Sequence, residues 1–280
     1  MRNFPSFPAP AEWHPRIAEY LAGRLEPVPA RLAATVLLLR DGADGPEVHL
    51  VKRATTMAFA GGLYAFPGGR VDPQDEDAAT AWAGPSPEQW ATRFDCAVPQ
   101  ARALVGAAVR ETFEETGVLL AGSAPETVVG ATSSADWEAD RLAVEAHALP
   151  LGALLTRRGL TLRTDLLAGW SRWVTPAFEP RRYDTAFFVA ALPEGQSARE
   201  VSGETEGTVW TTPSRAIADF EAGHVAMLPP TVTTLREIAA FDSTAAVLAA
   251  ASARSLAPIM ADVRAEADGT FSLIWPIADR

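Results

Sequence analysis

The chain has 280 residues, of which 48% are hydrophobic and 21% are charged. These values are ordinary for a globular protein, so wholesale disorder is excluded and a sizeable core is expected. The formal net charge of −11 excludes nucleic acid as an expected partner, because such binding needs clustered lysine and arginine. A small phosphorylated substrate remains possible, since metal ions can neutralise its phosphates locally.

The single cysteine and the hydropathy of the chain bear on its compartment. Cys96 alone allows no intrachain disulfide, which indicates a reducing environment. Residues 1–15 lack the basic segment and apolar run of a signal peptide. The apolar run at residues 32–39 is too short to span a bilayer. We expect a cytoplasmic protein that is not embedded in a membrane; monomer and homodimer both remain open.

The first hundred residues predict a helix, a hairpin and an insertion. Residues 11–24 have amphipathic helical spacing, and residues 33–40 and 47–53 form two strands joined by a polar turn. Residues 55–67 are expected to be a loop. Residues 76–100 are interrupted by prolines; we call them the insertion and expect one short helix in it, at residues 87–94. Its tryptophans predict that it packs onto the body of the protein.

The remainder predicts alternating helices and strands. Residues 100–116 form a helix that ends at Gly117. Further helices are expected at residues 136–148, 150–158, 213–222, 231–241 and 243–254, and strands at 171–175, 184–190, 206–211, 259–265 and 270–275, the last two as a closing hairpin. We predict a single mixed α/β domain over residues 1–280, with a core at about 30–240 and a C-terminal extension at about 241–280 that adds helices.

The helix at residues 100–116 carries three glutamates near its end. Glu111, Glu114 and Glu115 lie on a face roughly opposite to the apolar one. At this spacing they repel one another, and the helix dipole disfavours negative charge there. A divalent cation would reverse both effects, since magnesium takes hard oxygen ligands. By themselves, three glutamates favour a solvated acidic face.

A glycine-rich segment, Phe-Pro-Gly-Gly at residues 66–69, precedes the insertion. The two glycines permit a close approach of the backbone, so a carbonyl could join a metal site or a phosphate could come near. An ordinary glycine turn is the competing interpretation, and the motif is weak evidence by itself.

Together these residues resemble the Nudix box, written G-x5-E-x7-R-E-U-x-E-E-x-G-U with U a bulky apolar residue. Residues 110–118 are similar to its second half, with Thr112 where an apolar residue is usual. The first half begins at Gly69, and Asp75 stands in place of its glutamate. The two halves are separated by 34 residues, between Asp75 and Arg110, where the family has seven. An interrupted box of this kind resembles the peroxisomal coenzyme A diphosphatases of animals.

Other segments are similar to coenzyme A-cleaving Nudix enzymes. Residues 50–54, then Gly62 and residues 66–69, resemble an upstream motif of that subgroup, although Ala58 replaces its second arginine. Residues 173–176 and 181–188 also look like this subgroup. The resemblance covers about residues 33–240.

The resemblance implies a Nudix-like mixed β-sheet sandwiched between helices, and a magnesium or manganese ion as cofactor. It implies Glu111, Glu114 and Glu115 as metal ligands, with the Gly68 or Gly69 carbonyl as a further one. Arg110 would orient a glutamate, with Glu111 the first choice. The general base would be Glu111, Glu115 or a carboxylate of a later loop, where Glu204 is preferred to Glu206.

Substrate contacts are expected from five residues: Arg53, Gly62, Phe66, Arg181 and Arg182. The arginines suit phosphates, although for each of them singly a surface ion pair is the better interpretation. His49 and His224 are expected to be core or surface residues. We also expect the insertion to border the substrate cleft.

Three functions remain open. The first is hydrolysis of coenzyme A or acyl-coenzyme A to 3′,5′-ADP and 4′-phosphopantetheine or its acyl form. The second is a Nudix hydrolase of ADP-ribose, NADH or dinucleoside polyphosphates, which Ala58 keeps open. The third is a catalytically silent nucleotide-binding domain, which the presence of Arg110 and all three glutamates disfavours.

Overall fold

The computed structural model describes residues 6–56, 60–77, 80–201, 203 and 205–275. The helices are α1 (His14–Leu21), α2 (Pro87–Phe94), α3 (Val98–Thr116), α4 (Ala135–Glu145), α5 (Leu151–Arg157), α6 (Pro213–Glu221), α7 (Pro229–Ile238) and α8 (Thr244–Ala251). The strands are β1 (Ser6–Pro8), β2 (Arg31–Gly42), β3 (Gly45–Arg53), β4 (Tyr64–Ala65), β5 (Gly68–Arg70), β6 (Trp82–Ala83), β7 (Ala121–Gly122), β8 (Thr161–Arg163), β9 (Ala168–Val174), β10 (Tyr183–Ala191), β11 (Thr205–Thr211), β12 (Pro258–Met260), β13 (Asp262–Ala265) and β14 (Phe271–Ile274). Short 3-10 helices occupy Ala11–Trp13, Pro73–Glu76 and Thr164–Leu166.

A mixed sheet forms the centre of the described chain. Its order is β11-β3-β2-β10-β9-β12, with β4 paired to β3 and β5 paired to β2. The pairs β2–β10 and β9–β12 are parallel, whereas β2–β3, β3–β11 and β9–β10 are antiparallel. The first half of β2 therefore pairs with β5 on one edge and with β10 on the other.

Two hydrophobic cores lie on opposite faces of this sheet. Alternate residues of β2 divide between them: Val36 and Leu38 belong to one core, and Leu37 and Leu39 to the other. This is the period-two alternation of a strand that is buried on both faces. Helices α2–α5 contribute to the first core, and α1 and α6–α8 to the second. The prediction of a mixed sheet between helices is thus confirmed.

Two small sheets are also present among the described residues. β1, β14 and β13 form one, which joins the beginning and the end of the described chain, and β6, β8 and β7 form the other. The predicted closing hairpin is β13–β14, with Gly269 at a φ of 84° in its turn.

Several elements differ from prediction, and strands β1, β6, β7 and β8 lie where no strand is expected. The expected loop at residues 55–67 contains β4, and the strand expected at residues 259–265 divides into the end of β12 and β13. β12 pairs with β9, which is distant in sequence and is not encoded by local pattern, whereas β4 folds back on β3, the strand that precedes it. None of the described helices combines the length and hydropathy needed to cross a membrane.

Candidate active site

The C-terminal part of α3 is organised around one buried arginine. Arg110 Nη1 donates to Glu111 at 2.8 Å and to Glu114 at 3.1 Å, and its Nη2 donates to the Arg70 carbonyl at 2.8 Å. The expected Arg110–Glu111 pair is present, and the same guanidinium also serves Glu114. The Arg110 side chain is only 5% exposed.

Asp75 completes the set of partners and joins the two halves of the interrupted box. Its carboxylate accepts two hydrogen bonds from Arg110, each at 2.9 Å, and a third from the Asp72 backbone N–H at 2.7 Å. The last of these belongs to the capping box of the 3-10 helix Pro73–Glu76. Gly106 lets that 3-10 helix approach α3, because a Cβ there would lie 2.8 Å from the Asp75 carbonyl oxygen. The long insertion therefore leaves the Asp75–Arg110 contact intact.

The two glycines of the Phe-Pro-Gly-Gly segment touch the remaining glutamates. The Gly68 N–H donates to Glu115 Oε2 at 3.0 Å. A Cβ on Gly69 would lie 2.5 Å from Glu111 Oε1, so only glycine leaves this carboxylate where it is. Pairing of β5 with residues 33–35 of β2 brings these glycines to the end of α3.

The carboxylates are buried together, and their pKa values reflect it. Burial raises the pKa of Glu111, Glu114 and Asp75 above the ordinary range, and the positive charge of Arg110 opposes that rise. For Arg110, burial alone would lower the pKa, but its hydrogen bond to Asp75 and the charges of Glu111 and Glu114 hold it above its usual value. The solvated acidic face expected for three glutamates alone is wrong, since Glu114 and Glu115 are 7% and 5% exposed.

A cavity of about 460 Å³ opens beside this cluster. One part of its wall is acidic and contains Glu111, Glu114 and Glu115. Another part is apolar and aromatic; it includes Trp13, Phe66, Trp173, Phe187, Pro229 and Leu273. A charged part and an apolar part in one cavity are suited to a ligand that has both kinds of chemistry.

The donor set has the chemistry of a site for a hard divalent cation. Asp75, Glu111 and Glu114 pair with Arg110, and Glu115 accepts from the Gly68 N–H. With one arginine among four carboxylates the ionised cluster carries excess negative charge, and carboxylate oxygens are ligands that magnesium prefers. In the part of the chain that the structure describes, however, no three acidic, histidine or cysteine side chains converge as a ready metal site. Glu111 and Glu114 are turned towards Arg110, and Glu115 towards the Gly68 N–H. The metal-ligand roles expected of the three glutamates, Gly68 and Gly69 stay predictions.

Among the expected substrate contacts, Arg53 and Phe66 line the cavity. Arg53 Nε is buried without a hydrogen-bond partner, which suits an anionic ligand. Phe66 is also a core residue, packed edge-on against Phe187. Gly62 lies away from the cavity lining, in the turn that follows β3, where its φ is 76° and its N–H donates to the Arg53 carbonyl.

Neither Arg181 nor Arg182 lines the cavity, so the structure gives no support to their expected substrate contacts, which stay predictions. Arg182 donates instead to the backbone carbonyls of Thr175 and Val28, which places it in the structural support of β9 and β10. Arg181 is exposed. Neighbouring residues of the same motif, Tyr183 and Thr185, do line the cavity.

Of the two glutamates proposed as bases near the start of β11, the structure describes Glu206. Glu206 accepts hydrogen bonds from the backbone and hydroxyl of Thr55 and pairs with Lys52, so it ties β11 to the chain after β3. Glu204, the preferred base of that loop, and Ala58 lie outside the described residues.

The insertion packs away from the cavity. None of its described residues lines the cavity. Helix α2 instead buries Trp90 and Phe94 against Phe188 in the first core, at ring distances of 5.6 and 5.3 Å. The expectation that it packs onto the body is confirmed, whereas the expectation that it borders the cleft is not supported.

Sequence reasoning missed several residues of the cavity wall. Arg70 and Asp72 lie in the segment after the glycines and were not singled out. His147 follows α4 with a φ of 54°, and its Nδ1 lies 3.6 Å from Asp72 Oδ2. Trp13 and Leu273 come from opposite ends of the chain. No local pattern marks these residues, because only the tertiary fold brings them to one wall.

Comparison with known proteins points to one family. The profile described as the NUDT19 Nudix domain matches residues 85–238, more than half of the chain. The acyl-coenzyme A diphosphatase NUDT19 of Homo sapiens is 29% identical over 240 residues, covering 72% of this chain and 62% of that protein. Its namesake in Xenopus laevis is 24% identical over 232 residues, covering 70% of this chain and 60% of that protein. The chain thus spans about six tenths of the length of these relatives.

A solved structure is similar over most of the chain. The crystal structure of a NUDIX hydrolase from Alicyclobacillus acidocaldarius is 29% identical, with a TM-score of 0.70. The match covers 82% of this chain and 99% of that one. The similarity therefore supports the same overall fold.

Proposed function

The chain belongs to the Nudix family, in the group described by the NUDT19 Nudix domain, and from this premise we propose that it hydrolyses the diphosphate linkage of coenzyme A or acyl-coenzyme A. The products would be 3′,5′-ADP and 4′-phosphopantetheine or its acyl form. The observation that carries the proposal is the buried pairing of Glu111 and Glu114 with Arg110, next to Glu115 on the Gly68 N–H, in the wall of a cavity that also has an apolar side.

Arg110 is the positioning residue of this site. Its five N–H groups reach Asp75, Glu111, Glu114 and the Arg70 carbonyl, so it sets where the carboxylates point. Glu111 and Glu115 border the cavity and are the candidate bases for the attacking water. Glu204 is a further candidate from the later loop.

Nudix hydrolases use divalent metal ions, and we propose magnesium or manganese here. Bound by the glutamates, the ion would neutralise the diphosphate oxygens and activate the attacking water. The glutamates would hold the ion, and Gly68 and Gly69 would keep the backbone close enough for a carbonyl to join them. Arg53, whose Nε faces no protein partner, would receive a phosphate.

The substrate class is supported by two features. The relatives named above carry the name acyl-coenzyme A diphosphatase. The cavity also extends from the carboxylates to an apolar wall, which suits a substrate whose diphosphate continues into a weakly polar arm. ADP-ribose, NADH and dinucleoside polyphosphates are polar at both ends and fit that wall less well.

The test is incubation with magnesium, and separately with manganese, of coenzyme A, octanoyl-coenzyme A, ADP-ribose, NADH and a diadenosine polyphosphate, with products identified by mass. Release of 3′,5′-ADP from the first two supports the proposal. Glu115→Gln, which keeps an oxygen to accept from Gly68 but loses the charge, is expected to abolish it. Turnover of ADP-ribose without turnover of coenzyme A would contradict the proposed substrate but would still support diphosphate hydrolysis at this site. Binding without turnover of any substrate would favour a silent nucleotide-binding domain.

A further inference from the structure

Part of the apolar wall of the cavity is built by segments that lie outside the residues matched to the Nudix family profile. That profile covers residues 85–238. Trp13 precedes it, and Ala261 and Leu273 follow it, yet all three line the cavity. These segments meet because β1 pairs with β14, and β14 with β13.

The small sheet is fixed to the rest of the protein by aromatic packing. Trp275, next to β14, packs edge-on against Trp173 of β9 at 5.8 Å, and Trp13 packs against Phe178 at 5.8 Å. The Ala9 N–H donates to the Phe271 carbonyl at 2.9 Å and extends the β1–β14 pairing. The wall is therefore a docked element, held by the second hydrophobic core.

Strand register places this wall far from the carboxylates. Arg70, Ala33, Thr185 and Trp173 form one continuous row across β5, β2, β10 and β9, and all four line the cavity. Three steps between neighbouring strands span roughly 14 Å. Glu111 lies at the β5 end of the row, beside Gly69. The next strand, β12, pairs Ile259 with Trp173 and leads directly to Ala261.

We propose that the small sheet β1-β14-β13, with Trp13 and Ala261 beside it, determines specificity by binding an apolar substituent at the end of the substrate that is remote from the diphosphate. This inference rests on the proposed function for its reaction, but it assigns the selection of the substituent to segments outside the matched family region. The wall consists of Trp13, Trp173, Ala261 and Leu273, none of which carries a charge. A chain of methylene groups that leaves water at such a wall binds more tightly with each buried group.

The experiment compares the binding of coenzyme A and octanoyl-coenzyme A in EDTA, by calorimetry, so that no hydrolysis takes place. Wild-type protein is expected to bind octanoyl-coenzyme A at least about tenfold more tightly than coenzyme A, which requires burial of only two or so methylene groups. Ala261→Phe places a phenyl ring in the space beside the wall and is expected to bring that ratio close to one. Ala265→Phe, an exposed position on β13, is the matched control and should leave the ratio unchanged.

A second variant protects the test against misfolding. Trp13→Ala removes half-buried aromatic surface from the same wall and should also reduce the ratio, and its thermal unfolding reports whether the fold is intact. A wild-type ratio near one, or a ratio unchanged in Ala261→Phe, would overturn the inference. Failure to hydrolyse coenzyme A with magnesium would contradict the proposed function but not this inference, because the binding ratio is measured without a metal.

Discussion

Arg110 has more partners than any other residue of the site. It neutralises part of the charge of Asp75, Glu111 and Glu114, and all four side chains are largely removed from water. A buried charge that loses its partner cannot recover its hydration, so the removal of Arg110 affects every carboxylate at once.

Arg110→Met is therefore expected to lower the free energy of unfolding by about 3–5 kcal/mol at pH 7, because it leaves buried carboxylates unpaired. Arg110→Lys should be intermediate, since it keeps the charge and loses the fork that reaches Asp75 through two nitrogens. Chemical denaturation measures both.

The matched control is Arg236→Met. Its pair with Glu221 is more than half exposed on both sides, so a change below about 1 kcal/mol is expected there. Equal effects of the two methionine variants would contradict the role given to Arg110.

His49 has no place in the proposed chemistry, but its burial has a consequence for stability. It lies on β3, 1% exposed, against the ring of Trp210 at 5.1 Å. Burial, with a smaller contribution from the charge of Arg40, lowers its pKa from 6.5 to about 4. The expectation of a core histidine is thus confirmed, whereas His224 is exposed beside Asp219.

Because the folded-state pKa of His49 is lowered, its stabilising contribution is fully present above pH 6.5 and is lost as the pH falls towards 4. Between pH 7 and pH 5 the wild type should lose about 2 kcal/mol more than His49→Phe, which keeps the ring contact and cannot take up a proton. Urea unfolding of both proteins at the two pH values measures this difference in stability. The buried carboxylates contribute equally to both proteins, so their contribution cancels in the comparison. Parallel pH profiles for both proteins would refute this assignment.

At the scale of elements, α3 and β5 act as a pair. The helix ends at Gly117, with a φ of 74°, as its sequence predicts. Its carboxylates reach the cavity because β5 lies against them, and β5 is held there by the first half of β2. The position of a glycine in β5 therefore decides the position of a glutamate in α3.

Gly69→Ala tests this pairing. The added Cβ would lie 2.5 Å from Glu111 Oε1, and the flexible end of that side chain would move rather than the backbone. We expect kcat/KM to fall roughly 100-fold, as for a catalytic group displaced by about 1 Å, with little change in the unfolding midpoint. Gly130→Ala is the control, because a Cβ there meets nothing within 4 Å. Unchanged activity in Gly69→Ala would show that the Glu111 position is unimportant.

At the scale of the whole molecule, the insertion is part of the first core. Trp90 is 4% exposed and contacts Phe94 and Phe188, while the described insertion residues stay away from the cavity. The insertion thus contributes to stability, and the cavity wall is supplied by segments outside it. The single-domain organisation over residues 1–280 stays a prediction.

Trp90→Ala is expected to reduce the free energy of unfolding by about 3–5 kcal/mol, as for other large cavities in a core. The ratio of kcat/KM values for coenzyme A and octanoyl-coenzyme A should stay the same, because the residue is remote from the cavity. Trp90→Phe should cost much less, since the indole Nε1 is buried without a partner. A change of substrate selectivity in Trp90→Ala would instead indicate that the insertion borders the substrate cleft.

The sequence by itself determined the local features of this protein. The cap at Gly117 and the spacing of Glu111, Glu114 and Glu115 follow from interactions within a few residues, whereas the pairing of Arg110 with Glu111 was expected from the family resemblance. The helix Pro87–Phe94 was located from its prolines and aromatic residues for the same reason. Periodicity and capping are short-range, and a single sequence displays them.

Only the tertiary structure decided which distant residues share the cavity. Asp75 reaches Arg110 because Gly106 allows close packing, Arg182 is taken up by backbone carbonyls, and Trp13 meets Leu273 through a sheet made from both ends of the chain. These contacts depend on strand register and on the packing of faces that are far apart in sequence. The carboxylates are thus encoded locally, whereas the wall that faces them is a product of the fold.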